Sequence, residues 1–231
     1  MWLMKNFSII IPALNEITNI KNLLPEIFKV INESPHNFEV IFILGNKENF
    51  IMNETYKDLY FINRKYQNFA SALLEGINSS KFNYIITMDC DGSHSFSETH
   101  KYLDYFLNNN LDIMTFSRYK ESSKNDENYF NVLLSRFLNK AIRIFSPFKL
   151  SDYTNNLRIY KKSTIYNEPY ISKHFEFLYE VLNKAYNKNP QLKIEEASTI
   201  HLKRRSGVSK KNHFYYITKY LYFIIKLKIN K

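Results

Sequence analysis

The sequence predicts an α/β protein built on a mainly parallel sheet with helices on both faces. Short apolar runs have the length and composition of buried strands, and they occur at residues 8–12, 39–44, 59–63, 83–88 and 112–117. Segments with apolar residues at helical spacing separate these runs, at residues 15–32, 69–77 and 97–107. Strands that alternate with helices are typical of parallel sheets. The 231 residues, 45% of them hydrophobic, suffice for one large domain or two small ones.

Two helix starts need a choice between alternatives. Pro25 stands inside the apolar spacing of residues 15–32, so either the regular helix begins near Asn22 or it kinks at the proline. For the segment 97–107, either Ser95 or Ser97 is suited to cap the first turn.

The second half of the chain alternates loops with amphipathic segments. Residues 119–128 are polar without periodicity and predict a loop, whereas residues 130–145 give the strongest helix prediction, ended by Pro147. One face of that helix collects the apolar residues Leu133, Leu134, Phe137, Leu138, Ala141, Ile142 and Phe145, with Arg136, Lys140 and Arg143 off it. The remaining predictions are a strand within 152–161, a helix at 174–187, an extended segment at 192–200, a basic loop at 201–211 and a helix at 214–228. Glu176 and Glu180, one helical turn apart, are expected to face solvent.

Charge and cysteine content narrow the class of partner and compartment. Lys and Arg exceed Asp and Glu by 32 to 22, a net charge of +10 that favours anionic partners without choosing among them. Cys90 is the only cysteine, which excludes an intramolecular disulfide and fits a reducing compartment. The sequence shows neither a signal peptide nor an apolar run of about 18 residues, so we expect a cytoplasmic protein without a membrane-spanning helix.

Asp89-Cys90-Asp91 is the motif most suggestive of chemistry. It follows an apolar strand, and open α/β sheets bind ligands beyond the carboxyl ends of their strands. Two carboxylates one residue apart can reach one small region, where a hard divalent cation takes oxygen ligands. Such a cation neutralises charge that develops on a diphosphate leaving group. Taken alone, the motif is equally typical of a solvated turn, with Cys90 as a small packing residue.

Five segments, in order, resemble family-2 glycosyltransferases, most closely the dolichyl-phosphate mannose synthase-like and other polyprenyl-phosphate members. They are the strand and turn 9–16, the metal motif 88–94 with Glu98, the strand end 116–119, the acceptor-side segment 152–158 and the basic loop 204–210. The resemblance implies a GT-A fold over residues 1–211, with a nucleotide-sugar-binding half (7–117) and an acceptor half (118–211), followed by a C-terminal amphipathic basic helix (212–231). It also implies an inverting transfer from a nucleotide-diphosphate sugar to a polyprenyl phosphate or a glycan, with Mg²⁺ or Mn²⁺.

The resemblance also implies roles for individual residues. Those that would bind the nucleotide sugar are Pro12, Leu14, Asn15, Glu16, Asn46, Asp89, Arg204 and Lys210. Asp89 and Asp91 would hold the metal and the diphosphate, and Arg118 would hold phosphate charge. Asp91, Arg118 and Asp152 are the candidate catalytic residues, with Asp152 as general base if the acceptor is a sugar hydroxyl. A lipid phosphate is already an anion and needs no such base. Glu16 as a helix cap and Asp152 as a turn cap are the alternatives.

Departures from the family pattern motivate a second hypothesis. The family's acidic residues after the second strand are replaced by Ile43-Leu44-Gly45-Asn46, and Asn155-Asn156 stands where a small residue and glycine are common. A catalytically degenerate, glycosyltransferase-like binding protein is therefore the alternative. A nucleic-acid-binding protein ranks last, because the charge is not accompanied by a recognised module, and we expect no nucleic-acid partner.

The aromatic and basic residues of helices 130–145 and 214–228 indicate either core packing or in-plane binding to an anionic membrane surface. The second alternative would place the protein on the inner membrane face as a peripheral protein.

Overall fold

The computed structural model describes residues 4–45, 56–63, 68–165, 169–206 and 213–229, with the side chains of 217–226 in the last range. The strands are β1 (Asn6–Ala13), β2 (Asn37–Leu44), β3 (Leu59–Asn63), β4 (Tyr84–Thr87), β5 (Ile113–Ser117), β6 (Lys124–Asn125), β7 (Arg158–Lys161), β8 (Ile194–Ser198) and β9 (Ile200–His201). The helices are α1 (Ile17–Glu33), α2 (Phe69–Ser79), α3 (Phe96–His100), α4 (Leu103–Asn108), α5 (Tyr129–Phe145), α6 (Phe177–Lys188) and α7 (His213–Ile229), with a 3-10 turn at Lys162–Thr164.

Seven strands form one sheet in the order β3-β2-β1-β4-β7-β5-β8. Only β7 runs antiparallel to its neighbours β4 and β5 within this sheet of the described chain. The other pairings are parallel, with β1 beside β2 from Asn6↔Asn37 to Ala13↔Leu44 and beside β4 from Phe7↔Tyr84. The predicted mainly parallel α/β sheet is confirmed. A separate parallel pair, β6 with β9, falls partly in the segment 119–128 that was expected to be loop throughout.

Helices cover both faces of the sheet because the central strands are buried on both sides. Phe7, Ile9 and Ile11 of β1 pack with α1, α3 and α4 in one hydrophobic cluster. Ile10, on the opposite side of the same strand, packs in a second cluster with α2, α5, α6 and α7. The period of two along β1 thus divides the core into two layers.

Two helices differ from their predicted form. The first runs unbroken from Ile17 to Glu33 with Pro25 inside it, so a start near Asn22 was wrong. The segment 97–107 is two short helices instead of one, because the chain leaves α3 after His100 and enters α4 at Leu103. Ser95 caps α3 by accepting a hydrogen bond from the Glu98 N–H, which selects it over Ser97.

The apolar face predicted for α5 is only partly covered. Leu138 and Ile142 are buried against the sheet layer. Leu133, Phe137 and Phe145, from the same predicted face, are 51%, 62% and 40% exposed. Core packing of the whole face was therefore wrong, since the sheet and α7 contact one side of the helix and nothing described covers the other.

The last helix belongs to the same core. Tyr220, Phe223 and Ile224 of α7 are buried in the cluster that contains Leu138 and Ile142. Among the described residues, no helix combines the length and apolar character needed to cross a bilayer.

Glu176 and Glu180 were both expected to be solvated, which is wrong, because both are buried. Glu180 is fully buried and accepts hydrogen bonds from the backbone N–H groups of Ile171 (2.9 Å) and Ser172 (2.9 Å). Its tertiary neighbours, which the local sequence does not reveal, supply the partners that make burial tolerable.

Candidate active site

A pocket opens beyond the carboxyl end of β4, where the sequence places Asp89 and Asp91. Both carboxylates line it. The other polar residues of the lining include Ser93, Arg118, Asn155, His201 and Arg204. Its apolar wall comes from α5 and α7, through Val132, Leu134, Leu138, Ile217 and Tyr220, together with Phe175. One side of the pocket is thus charged and the other is apolar.

The turn after β4 is fixed by its own hydrogen bonds. The Asp89 N–H donates to Nδ1 of His94 (3.1 Å), so Nδ1 is the acceptor and Nε2 carries the hydrogen that faces Asn155 Oδ1 (2.9 Å). The Ser93 N–H donates to Asp91 Oδ1 (3.1 Å). Gly92 has φ +76°, a left-handed conformation that glycine adopts without steric cost. His94 therefore acts in the turn, and buried Cys90 packs in the core as predicted.

Asp89 is held by the acceptor-side segment. Nδ2 of Asn156 donates to Asp89 Oδ1 (3.0 Å), while the Thr87 hydroxyl donates to the Asn156 carbonyl (2.5 Å). Asn156 thus ties the end of β4 to the chain leading into β7. The sequence flagged this position only as a departure from glycine and did not indicate a contact with the metal motif.

Arg204 joins Asp91 to the start of α1. Its Nη1 lies 3.3 Å from Asp91 Oδ2, and its Nη2 donates to Glu16 Oε1. Glu16 makes no side-chain cap on α1 and accepts a second hydrogen bond from Asn19. Burial alone would raise the pKa of Asp91, but the hydrogen bonds from Ser93 and the neighbouring His94 and Arg204 bring it below its usual value. Asp91 is therefore a carboxylate at neutral pH.

The charge of this cluster suits a divalent cation. Asp89, Asp91 and Glu16 are three carboxylates, and Arg204 is the one cation bonded to them among the described residues. Three carboxylates and one guanidinium leave this cluster of four side chains with a formal net charge of −2. The described residues contain no group of three His, Cys, Asp or Glu side chains able to hold a metal ion alone. A hard cation bound at Asp89 or Asp91 would therefore complete its shell with diphosphate oxygens and water.

Arg118 and Asp152 form a buried ion pair. Arg118 Nε and Nη2 donate to the two Asp152 oxygens at 2.7 and 3.0 Å, the bidentate geometry of strong guanidinium–carboxylate pairs. Asp152 is fully buried and also accepts from the Arg118 and Thr154 N–H groups. Burial alone would raise the pKa of Asp152, but Arg118 and these hydrogen bonds bring it below its usual value. A carboxylate so occupied is a poor proton acceptor, so its geometry suits positioning Arg118 better than acting as a base.

The remaining predicted binding residues are dispersed. Pro12, Leu14 and Asn15 lie at the carboxyl end of β1, the strand beside β4, but they are not among the residues that line the pocket. Asn15 has φ +56°, which turns the chain into α1. Asn46 and Lys210 lie outside the described residues.

His201 is a pocket residue that sequence reasoning missed. It pairs with His94 in an isolated antiparallel β-bridge, and burial lowers its pKa to about 3, with further contributions from His94 and Arg118. Its buried Nδ1 has no hydrogen-bond partner within the described part of the chain. A single histidine at the start of a basic loop carries no signal that would have identified it.

Comparisons with known proteins identify the family of this chain. A model of glycosyl transferase family 2 matches residues 8–168. The undecaprenyl-phosphate 4-deoxy-4-formamido-L-arabinose transferase of Aeromonas hydrophila subsp. hydrophila is 22% identical over 214 residues. That alignment covers 88% of this chain and 64% of the relative, so the chain spans less than two thirds of the relative's length.

Solved structures show the same fold at low sequence identity. Glucosyl-3-phosphoglycerate synthase from Mycobacterium tuberculosis, in complex with Mn²⁺, UDP and phosphoglyceric acid, superposes with a TM-score of 0.66 at 12% identity, over 96% of this chain and 76% of that one. Its complex with Mg²⁺ and UDP gives a TM-score of 0.65 at 12% identity, over 96% and 77%. The match of the family model over more than half of the sequence, together with this fold, shows that the chain belongs to glycosyl transferase family 2 and has the GT-A fold.

Proposed function

We propose that this chain transfers a sugar from a nucleotide-diphosphate sugar to a polyprenyl phosphate, with inversion at the anomeric carbon and with Mg²⁺ or Mn²⁺ as cofactor. The observation that carries the proposal is the convergence of Asp89, Asp91, Arg118 and Arg204 on one pocket whose opposite wall is apolar. The charged side suits a metal diphosphate, and the apolar side suits the hydrocarbon of a lipid acceptor. The relative from Aeromonas hydrophila, named for an undecaprenyl-phosphate substrate, supports the same acceptor class.

The charged residues have complementary tasks in this proposal. Asp89 and Asp91 would hold the cation together with diphosphate oxygens and water, and the cation would stabilise negative charge on the departing diphosphate. Arg118 keeps its Nη1 free of hydrogen bonds to described residues while Asp152 and Thr154 fix the rest of the guanidinium. Because Arg118 lines the pocket, that nitrogen would donate to a phosphate oxygen bound there, and preorganised donors of this kind lower the barrier without reorganising during the reaction.

The state of Asp152 bears on the class of acceptor. A sugar hydroxyl needs a base to remove its proton, whereas a phosphate monoester attacks as an anion. Asp152 has both oxygens bonded to Arg118 and a lowered pKa, so it supports an acceptor that needs no base. A glycan acceptor is the alternative, and it would require another carboxylate to act.

The test is a calorimetric titration with UDP- and GDP-sugars, with and without Mn²⁺, followed by a transfer assay with a polyprenyl phosphate and with a free glycan. We expect metal-dependent donor binding in the wild type and its loss in Asp91→Asn, with transfer to the lipid acceptor. A matched control is Asp104→Asn, a half-exposed carboxylate paired with His36 away from the pocket. Metal-independent binding, or binding without transfer to either acceptor, would instead favour the degenerate binding protein that the missing carboxylates after β2 suggest.

A further inference from the structure

The outward side of α5 is apolar and uncovered. Tyr129, Phe130, Leu133, Phe137 and Ile144 are 81%, 63%, 51%, 62% and 75% exposed. At 3.6 residues per turn these five fall on one side of the helix, opposite buried Leu138 and Ile142, and we call them the apolar face of α5. A contiguous apolar patch exposed on a protein surface usually marks an interaction site.

The neighbouring helix also exposes apolar side chains, and basic residues flank the apolar face of α5. On α7, which shares a hydrophobic cluster with α5, Tyr222 and Ile225 are 67% and 53% exposed. Arg136, Lys140 and Arg143 are exposed along one edge of the apolar face. The sequences of both helices, 129–145 and 213–229, contain no Asp or Glu. The two helices therefore combine apolar side chains with positive charge and carry no acidic residue of their own.

The charges distinguish between two possible occupants. In a twofold dimer the same face meets itself, so the cations of one copy would lie against those of the other without an acid to balance them. An anionic bilayer supplies the opposite charge, and apolar burial and basic attraction then add. We propose that the apolar face of α5 docks in the plane of an anionic lipid bilayer.

The functional consequence of this docking rests on the proposed function. It follows from the position of α5, which also forms a wall of the pocket. Its inner side supplies Leu134 and Leu138 to the lining, and the Ser135 hydroxyl lies 3.4 Å from Arg118 Nη2. A helix with its side chains is about 10 Å across. Docking through α5 would therefore place the lipid interface about one helix diameter from the guanidinium of Arg118, the proposed phosphate-binding group. Docking would thus hold the pocket close to acceptors that reside in the membrane.

Co-sedimentation of the full chain with phosphatidylcholine vesicles, with and without phosphatidylglycerol, tests the docking. We expect the wild type to bind the anionic vesicles and to dissociate as salt increases. Phe137→Ser should weaken partitioning by about tenfold or more, since it removes a large ring that docking would bury in the bilayer, and Ile144→Ser should act in the same direction. Lys140→Gln with Arg143→Gln should cost about fivefold per charge on anionic vesicles.

The matched control is Tyr105→Ser, which removes an aromatic ring that is 46% exposed on α4, across the sheet from α5. It should bind vesicles as the wild type does, and unchanged melting temperatures would show that all variants fold. A wild type that binds the donor with Mn²⁺ but binds neither vesicle overturns the docking and leaves the proposed function intact. A wild type that docks without binding a donor overturns the function alone. A concentration-dependent dimer that Phe137→Ser dissociates, seen by analytical ultracentrifugation, overturns the docking in favour of a second copy.

Discussion

The variant Asp152→Asn distinguishes between two roles for Asp152: a structural ion-pair partner of Arg118, or a general base. The substitution keeps the side-chain shape but removes the charge that faces Arg118 through bonds of 2.7 and 3.0 Å. Breaking a buried pair on one side costs about 3–5 kcal/mol, because the remaining charge stays buried without a partner. The Arg118 side chain is 15% exposed and borders the pocket, where water can reach it, so we expect the lower limit, about 3 kcal/mol. For a chain of this length that corresponds to a fall in Tm of roughly 6–12 °C.

Urea unfolding followed by circular dichroism measures this loss. The control Glu98→Gln breaks a surface ion pair between Glu98, whose side chain is 31% exposed, and Lys101, whose side chain is 65% exposed. It should change the unfolding free energy by less than about 1 kcal/mol. Adding Arg118→Met to Asp152→Asn should recover part of the loss, because it removes the unpaired cation. Because the folded pKa of Asp152 is lowered, its contribution is present above the unfolded pKa of about 3.9 and is lost as the pH falls below it. An Asp152→Asn variant as stable as the wild type, but without sugar transfer, would refute this reasoning and restore Asp152 as a base.

Three further predictions concern the pocket. Gly92→Ala should lower the unfolding free energy by about 1–2 kcal/mol in urea, because φ is +76° and the new Cβ would lie 2.6 Å from Arg205 Cδ; an unchanged midpoint contradicts this. Arg204→Gln should strengthen the binding of Mn²⁺ alone, because it frees Asp91 and Glu16 from their ion pairs. It should weaken the binding of UDP together with Mn²⁺ by roughly tenfold, because it removes a phosphate-binding cation. Calorimetry that finds both affinities changed in the same direction excludes diphosphate binding by Arg204. His201, whose folded pKa is about 3, takes up its proton on unfolding, so in metal-free buffer the wild-type unfolding free energy should fall as pH drops from about 6.5 toward 3. His201→Gln should flatten that slope, and an unaltered slope would show that other groups cause it.

The strands and most helices could be predicted because their signals are local. The runs that became β1, β2 and β5 are nearly continuous apolar segments, and Leu59–Asn63 was located to the residue. The split between α3 and α4 was missed because the apolar spacing continues across Lys101 and Tyr102, and only packing decides where the chain bends. The burial of Glu180 was missed for a related reason, since its partners at Ile171 and Ser172 precede its helix and carry no pattern that announces them.

The candidate site was predictable in its motif but not in its contacts. Asp89 and Asp91 were found because they follow an apolar strand, and strand ends in an open α/β sheet form one edge. Residues far apart in sequence determine what those carboxylates contact: Asn156 bonds Asp89, and Arg204 bonds Asp91 across 113 positions. No sequence spacing encodes such pairs, because they depend on how β7 and β9 are brought to the end of β4.

The sequence by itself determined the α/β class, the mainly parallel sheet and the position of the acidic motif, because periodicity, apolar runs and strand ends are properties of neighbouring residues. The tertiary structure alone decided that Asp152 is buried against Arg118, that His201 reaches the pocket, and that the apolar side of α5 is left uncovered. Burial and pairing depend on what the rest of the chain places nearby. A helix with apolar residues on two sides is compatible with either the core or a surface until its neighbours are in position.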